Sequence, residues 1–144
     1  MKIAEPQQKL SAEKEYRQVI ECNFHGRIVG FPDFNVFRLI TDSRFFPFIK
    51  LESTELPEVK FTLIDPWTIL EDYTVKIPDA DLEKLKTNDS NDLLILSVVT
   101  LHKGKASISV NLAAPLIINL REKTGIQLIL EDETLPINYV VNLA

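Results

Sequence analysis

Short runs of β-branched and aromatic residues, separated by clusters of Gly, Pro, Asp and Ser, dominate the first half of the chain. Runs of this length and composition are typical of β-strands, and the residues between them favour turns. Because the runs follow one another closely, we expect neighbouring strands to pair as a meander. The predicted strands cover residues 17–24, 34–41, 46–51 and 59–64.

The second half begins with an almost unbroken apolar run, Leu93–Leu101. A strand without alternation is expected to be buried on both faces, which predicts a place in the middle of the sheet. Residues 102–105 supply a tight turn into residues 106–112, where apolar and polar side chains alternate. This alternation predicts a hairpin with one face exposed to water.

Pro115 interrupts the alternating pattern. Proline donates no backbone hydrogen bond, so the strand must bulge or lie at an edge of the sheet there. Pairing is predicted to resume at Leu116, and residues 123–125 are predicted to turn the chain into a last strand over residues 126–130.

One segment, residues 78–86, carries the pattern of a short helix. Asp79 is placed to cap its start, and Leu82 and Leu85 share one face. Acidic residues precede basic ones along the segment, as the helix dipole favours. Many short strands and one helical segment predict a mainly β fold: an antiparallel, closed, barrel-like sheet with one short helix.

The composition, with 45% hydrophobic and 26% charged residues, is that of an ordinary globular protein. We expect a single domain over residues 1–144, in which residues 1–15 form a peripheral lead-in. The first residues are polar and charged, and no apolar run approaches the length of a membrane span, so neither a signal peptide nor a membrane segment is expected. The single cysteine suits a reducing compartment, which predicts a cytoplasmic location.

The net charge of −5 is concentrated in one part of the chain. Residues 1–64 hold nine acidic and nine basic side chains, and residues 93–144 hold four of each. The whole excess lies in residues 65–92, where eight acidic side chains face three lysines. Such a stretch should attract a basic partner and repel phosphates. A solvated helix and loop without any partner is the alternative interpretation of the same charges.

Few residues suggest catalysis or cofactor binding. The four glycines are too scattered for a phosphate-binding loop, and His25 and His102 lack metal-ligand spacing to each other or to Cys22. We interpret both histidines as surface residues and Cys22 as an inert core thiol. Asp79 and Asp81 form a carboxylate pair, but a pair at the start of a helix remains hydrated, and we interpret it as structural. We therefore predict no catalytic residue, no metal site and no cofactor.

The aromatic residues offer a second binding hypothesis. All eight phenylalanines lie between Phe24 and Phe61, interleaved with Arg27, Arg38 and Arg44. Aromatic and arginine side chains stack on the bases of single strands, which makes a barrel that binds single-stranded nucleic acid the alternative function. A barrel core explains the same aromatic residues, and the acidic net charge favours the core interpretation.

The segment from Phe61 to Trp67, with the pair Asp72-Tyr73 after it, resembles the flagellar assembly factor FliW family. In that family a Phe-x-x-(Ile/Val)-x-Pro-aromatic stretch precedes an Asp-Tyr pair. Residues 111–119, Asn-Leu-Ala-Ala-Pro-Leu-Ile-Ile-Asn, are the most specific piece of the resemblance. Further matching segments, which run in order between residues 20 and 132, are residues 47–51, 82–85, 96–100 and 127–130.

The chain departs from the family pattern at three places. These are the first turn at residues 26–31, Glu71 in place of a common proline, and the uncharged tail at residues 138–144. The first departure predicts a turn of a different type, and the last removes the basic tail that is usual in the family.

The resemblance implies a regulator that changes partners. Members of this family bind the RNA-binding translational regulator CsrA and lift its repression of flagellin synthesis, and they also bind flagellin, which draws them away from CsrA. The resemblance thus implies CsrA and flagellin as partners. From the residues themselves we predict a protein that is not an enzyme and has no direct nucleic-acid contact and no membrane, and we expect a monomer rather than an oligomer. The predicted partner-binding residues are Asp65, Trp67, Asp72, Tyr73, Asp79, Asp81, Glu83, Asn111 and Asn119.

Overall fold

The computed structural model describes residues 1–8, 15–26, 28 and 35–143. These residues form eleven strands, one α-helix and three short 3-10 helices. In chain order the strands and the helix are β1 (Lys2–Ile3), β2 (Arg17–His25), β3 (Val36–Asp42), β4 (Ile49–Ser53), β5 (Lys60–Ile64), β6 (Val75–Lys76), α1 (Asp79–Leu85), β7 (Leu93–Leu101), β8 (Ser107–Val110), β9 (Leu116–Asn119), β10 (Thr124–Gln127) and β11 (Tyr139–Asn142). The 3-10 helices are Ser43–Phe45, Pro66–Thr68 and Ser90–Asp92.

Within the described residues, seven strands close into a barrel in the order β7-β5-β4-β3-β2-β10-β9, and β9 pairs with β7 to complete the ring. β8 pairs with the far end of β7 and carries β11 on its other edge. β1 and β6 form a separate two-stranded sheet. The prediction of a mainly β, barrel-like fold with one short helix is confirmed.

One pairing in the barrel is parallel, whereas the sequence predicts an antiparallel sheet. β10 runs parallel to β2, and the other adjacent pairs of the ring are antiparallel. The reason is the number of strands. A ring in which strands alternate in direction needs an even number of them, so seven strands force one parallel pair and the barrel is mixed.

Apolar side chains pack on both sides of the barrel wall near β7. Leu94 and Leu96 belong to the cluster inside the barrel, with residues of β2, β3, β4 and β5. Leu93 and Ile95 belong to a second cluster outside it, which includes the helix residues Leu82 and Leu85. The prediction that this strand is buried on both faces and lies in the middle of the sheet is confirmed, although its last two residues are exposed.

The strand break predicted at Pro115 is present. β8 ends at Val110 and β9 begins at Leu116, and both pair with the same side of β7. The residues between them leave the regular ladder, with Asn111 N donating to Val98 O at 2.9 Å before the break. The intervening segment therefore divides one long strand into two parts. β9 belongs to the barrel, and β8 pairs with β11 outside it.

Gly125 does not belong to a turn, contrary to the sequence prediction. It lies within β10, opposite Phe24 in β2, and a Cβ atom built on it would approach the Phe24 ring to 2.5 Å. Glycine is needed here because the aromatic ring occupies the space of a side chain. The turn is made instead at Lys123, which adopts a left-handed backbone with φ of 56°.

The predicted helix is confirmed, but its start differs. α1 begins at Asp79, the capping position is Pro78, and no side chain caps the helix by a hydrogen bond. Asp79 therefore lies in the first turn and is not the cap. The cap is Pro78, whose ring fixes φ and whose backbone is extended. The helix ends at Leu85, and the capping residue Lys86 has a left-handed φ of 58°.

Two regions of structure are not predicted from the sequence. β11 lies in the tail that departs from the family pattern, and β1 pairs with β6, which places Ile3 of the predicted lead-in in the core. The last predicted strand is regular only to Gln127. The predicted strand start at Phe34 and most of the first turn, residues 27 and 29–31, lie outside the described residues.

Candidate protein-binding surface

Asp65 and Trp67 form a local structure that directs the chain out of β5. The Asp65 carboxylate accepts a hydrogen bond from Trp67 N at 2.8 Å and so caps the 3-10 helix Pro66–Thr68. Burial raises the pKa of Asp65, and the hydrogen bond from the Trp67 N–H opposes that rise. This arrangement explains the Asp-Pro-Trp order, because aspartate caps and proline starts the helical turn.

Tyr73 ties the same segment to the strand break. Trp67 Nε1 donates to Tyr73 O at 2.7 Å, and the two rings meet edge to face at 5.6 Å. The Tyr73 hydroxyl donates to Leu112 O at 2.6 Å, inside the core, and burial raises its pKa. Tyr73 is buried, whereas its neighbour Asp72 is exposed.

Asn111 and Asn119 both use their side chains to hold the backbone. Asn111 Oδ1 accepts from Ala113 N and from Ala114 N, at 3.1 Å each, and so stabilises the strand break. Asparagine suits such a position because its side chain accepts bonds from the backbone a few residues ahead. Asn111 is half-buried.

Asn119 is completely buried and connects β9 to the helix. Its Nδ2 donates to Leu85 O at 2.6 Å, and its Oδ1 accepts from Arg121 N at 2.9 Å and Glu122 N at 3.1 Å. The side chain satisfies one carbonyl at the end of α1 and two amides of the turn into β10. Any effect of Asn119 on a partner would act through the turn and helix that it positions.

The acidic side chains predicted to face a partner lie on and before α1. Asp79 and Glu83 are exposed, and Asp81 is half-buried with Lys84 Nζ at 3.9 Å from its carboxylate. A contact of this length with an exposed lysine contributes little to stability. The carboxylates are therefore free to act on a molecule that approaches the helix.

Three of the predicted acidic residues, Asp65, Asp81 and Glu83, line three different depressions. Asp81 lines a groove with Glu131 and Asp132, and Glu83 lines a different depression with Asp89 and Asp92. In that depression Asp92 is paired with Arg121 at 3.4 Å. Asp65 borders a small cavity of about 50 Å³ near Phe46 and Pro47. The acidic stretch is thus continuous in sequence but divided by α1 in space.

Sequence reasoning missed the contribution of residues 128–135 to this surface. Glu131 and Asp132 join Asp81 in space, although residues 93–144 are neutral when counted along the chain. Ile129, beside them, is 80% exposed. The run Glu131-Asp132-Glu133 after an aliphatic segment was the available signal, since three consecutive acids are seldom buried.

The structure gives no catalytic arrangement in the part of the chain that it describes. No group of three or more His, Cys, Asp or Glu side chains there could hold a metal ion. Cys22 is buried, and burial raises its pKa to about 11, which keeps the thiol protonated and inert as predicted. His102 is half-buried between two hydroxyls, with Nδ1 at 3.1 Å from Ser107 Oγ and Nε2 at 2.7 Å from Ser109 Oγ.

Several aromatic residues belong to the barrel core. Phe24 and Phe37 are buried and meet edge to face at 5.6 Å, and Phe61 packs against Phe37 at 6.2 Å. Phe45 is exposed, with the Arg44 guanidinium 5.5 Å from its ring. Among the described helices, none has the length and apolar character to cross a membrane.

Fold and surface define the molecule as a closed, mixed β-barrel protein with an acidic groove on one side. The model of the FliW protein family matches residues 6–141. The chain therefore belongs to the FliW family.

Known relatives cover most of the chain. The flagellar assembly factor FliW of Clostridium novyi (strain NT) is 34% identical over 118 residues, which are 82% of this chain and 82% of the relative. That of Thermotoga sp. (strain RQ2) is 35% identical over 120 residues, 83% of this chain and 80% of the relative. A crystal structure of the flagellar assembly factor FliW superposes with a TM-score of 0.74 at 27% identity and covers 99% of this chain and 96% of that one.

Proposed function

We propose that this protein is a cytoplasmic, monomeric regulator of flagellar assembly that acts by binding proteins and not by catalysis. Its partners are CsrA, whose repression of flagellin synthesis it relieves, and flagellin, which competes for it. Family membership over residues 6–141 supports this proposal most strongly. The exposed carboxylates of Asp79 and Glu83 support it as well, because an RNA-binding protein is expected to carry basic patches.

The acidic surface suits the proposed antagonism in two ways. Carboxylates on α1 attract a basic protein and raise the rate of encounter. The same charges repel the phosphates of an RNA. The protein is therefore suited to oppose RNA binding by CsrA without contacting the RNA itself.

Titration of the purified chain with flagellin monomer and with CsrA from the same cell tests the proposal. Isothermal titration calorimetry should give saturable binding of each protein at about micromolar concentration or tighter, and added flagellin should release CsrA. If neither protein binds at that concentration, the proposed function is wrong. A gel shift with short single-stranded oligonucleotides should show no complex, and a complex there would favour the nucleic-acid alternative.

Charge reversal locates the CsrA-facing surface. The triple substitution of Asp79, Asp81 and Glu83 by Lys should weaken CsrA binding more at low salt than at high salt, because salt screens exposed charges. A control that reverses three other exposed carboxylates changes the net charge equally; it uses Glu21, Glu55 and Glu58. Equal affinities of the two triple variants would contradict the assignment to α1.

A further inference from the structure

A groove of about 730 Å³ lies between residues 74–78 and residues 128–135. Its lining combines apolar side chains with a charged rim. The apolar residues that border it are Ile77, Pro78, Leu128, Ile129, Leu130 and Leu135. A volume of this size accommodates several side chains of a bound segment.

The charges around the groove are unbalanced. Asp81, Glu131 and Asp132 line it, and Lys76 is the cation that lines it. A segment that enters the groove therefore meets a net negative rim, which favours Lys or Arg on the bound chain.

Ile129 gives the groove an exposed apolar contact. It is 80% exposed, although its neighbours Leu128 and Leu130 are buried or half-buried. An isoleucine in this position has no partner within the described chain to cover most of its surface. Covering it with an apolar side chain of another protein would remove that surface from water.

The backbone beside the groove, just beyond the end of β10 at Gln127, has one unpaired edge. Leu128 N donates to Pro115 O and Leu130 N donates to Ala113 O, both at 2.9 Å. Because N–H and C=O groups alternate in direction along an extended chain, those of Ile129 point away from this pairing. No described residue accepts a hydrogen bond from Ile129 N, so an added strand can pair there.

We propose that this groove binds an extended segment of a protein partner, one that places an apolar side chain over Ile129 and Lys or Arg side chains against Asp81 and Glu131. The assignment rests on the proposed function and deepens it, because it names the surface and the chemistry of the segment that the partner presents. Two features select this occupant: the apolar wall with an unpaired backbone edge, and the negative rim.

Two isoleucines with similar exposure allow a matched test. Ile129 lies in the groove, and Ile137, at 70% exposed, does not line it. The probe is a monomeric synthetic peptide of about eight residues that alternates Leu and Lys, a length that suits one strand. Its counterpart alternates Leu and Glu. Thermal melts of the Ile129→Ser and Ile137→Ser variants test whether both fold.

Fluorescence anisotropy should show binding of the Leu–Lys peptide and none of the Leu–Glu peptide. Ile129→Ser should weaken the Leu–Lys complex about tenfold, which corresponds to roughly 1.4 kcal/mol of lost apolar contact, whereas Ile137→Ser should leave it within about twofold. Glu131→Gln should weaken it more than Glu133→Gln, and more so at low salt. No binding of the Leu–Lys peptide, or equal losses in the two Ser variants, overturns the proposal.

The same variants separate this inference from the function on which it rests. If CsrA or flagellin binds the unchanged chain and the Ile129→Ser variant with equal affinity, the groove is not the docking surface and the proposed function stands. If the peptide follows the expected pattern and neither protein binds, the groove stands as a peptide site and the proposed function falls.

Discussion

Residues 116–126 and residues 129–143 are both rich in aliphatic side chains, but the two regions differ in how deeply these side chains are buried. In the first region Leu116, Ile117 and Ile118 are fully buried. In the second, Ile129 and Ile137 are among the most exposed apolar side chains of the described chain. The difference follows from the neighbours that each region has.

Strands β9 and β10 in the first region have partner strands on both edges, and α1 packs against β10. In the second region β11 pairs with β8 on one edge only, and the segment before it runs along the surface. Apolar residues in the first region therefore build the fold, whereas Ile129 and Ile137 in the second remain available to other molecules. Substitutions of the same residue type in the buried part of the fold and in the second region should separate these roles.

The largest expected difference in stability is between substitutions of two asparagines, Asn119 and Asn142. Asn119→Ala should lower the free energy of unfolding by about 3 kcal/mol, because one buried carbonyl and two amides lose their partner. Asn142→Ala, at an exposed position in β11, should cost less than about 0.5 kcal/mol. Urea denaturation measures both. Similar losses would mean that the buried amide does not hold the helix and the turn as its hydrogen bonds indicate.

Tyrosine gives a smaller contrast. Tyr73→Phe removes the buried hydroxyl that donates to Leu112 O, and should destabilise the fold by about 1.5 kcal/mol. Tyr139→Phe, in the exposed β11, should change stability by less than about 0.5 kcal/mol. The shift in melting temperature reports the two effects. A neutral Tyr73→Phe would show that the leftover carbonyl finds another donor.

Two aspartates sharpen the comparison through pH and should give the smallest effect. Hydrogen bonds from Arg44 lower the pKa of Asp42 from 3.8 to about 2, and bonds from Thr134 lower that of Asp132. A lowered folded-state pKa adds stability above the unfolded value of 3.8, and this stability disappears as the pH falls towards about 2.

Asp42→Asn should therefore lower the melting temperature near neutral pH and flatten its fall between about pH 4 and pH 2. Asp132→Asn should do the same more weakly, since its partners are a neutral hydroxyl and an amide and not a guanidinium. Melting curves across this pH range test the order. An equal flattening in both variants would contradict the role given to Arg44.

The sequence predicts those parts of the fold that depend on local pattern. The apolar run of β7, the break at Pro115 and the helix face of Leu82 and Leu85 all follow from periodicity or from proline chemistry, and all are present. The parallel pairing of β10 with β2 does not follow from either, because it depends on how many strands enter the ring. Strand number is a property of the whole chain.

The surface was only partly predictable for a related reason. Counting charges along the chain finds Asp81, but Glu131 and Asp132 join it only after the barrel has closed. The motif residues Tyr73 and Asn119 are specific to the family pattern, and here their side chains hold the interior. A motif marks residues that a family needs. The structure distinguishes those that stabilise the interior from those that are exposed to a partner.

The pairing of β10 with β2 has a consequence for synthesis of the protein. β2 ends at His25 and its partner begins at Thr124, so about a hundred residues emerge from the ribosome before this edge of the nascent sheet is covered. Until then the chain carries an open strand edge, the feature through which unfinished β-proteins associate wrongly. Closing so long a loop also slows the formation of this pairing. The order of the strands therefore leaves the edge of β2 open to wrong association until β10 has been synthesised and has paired with it.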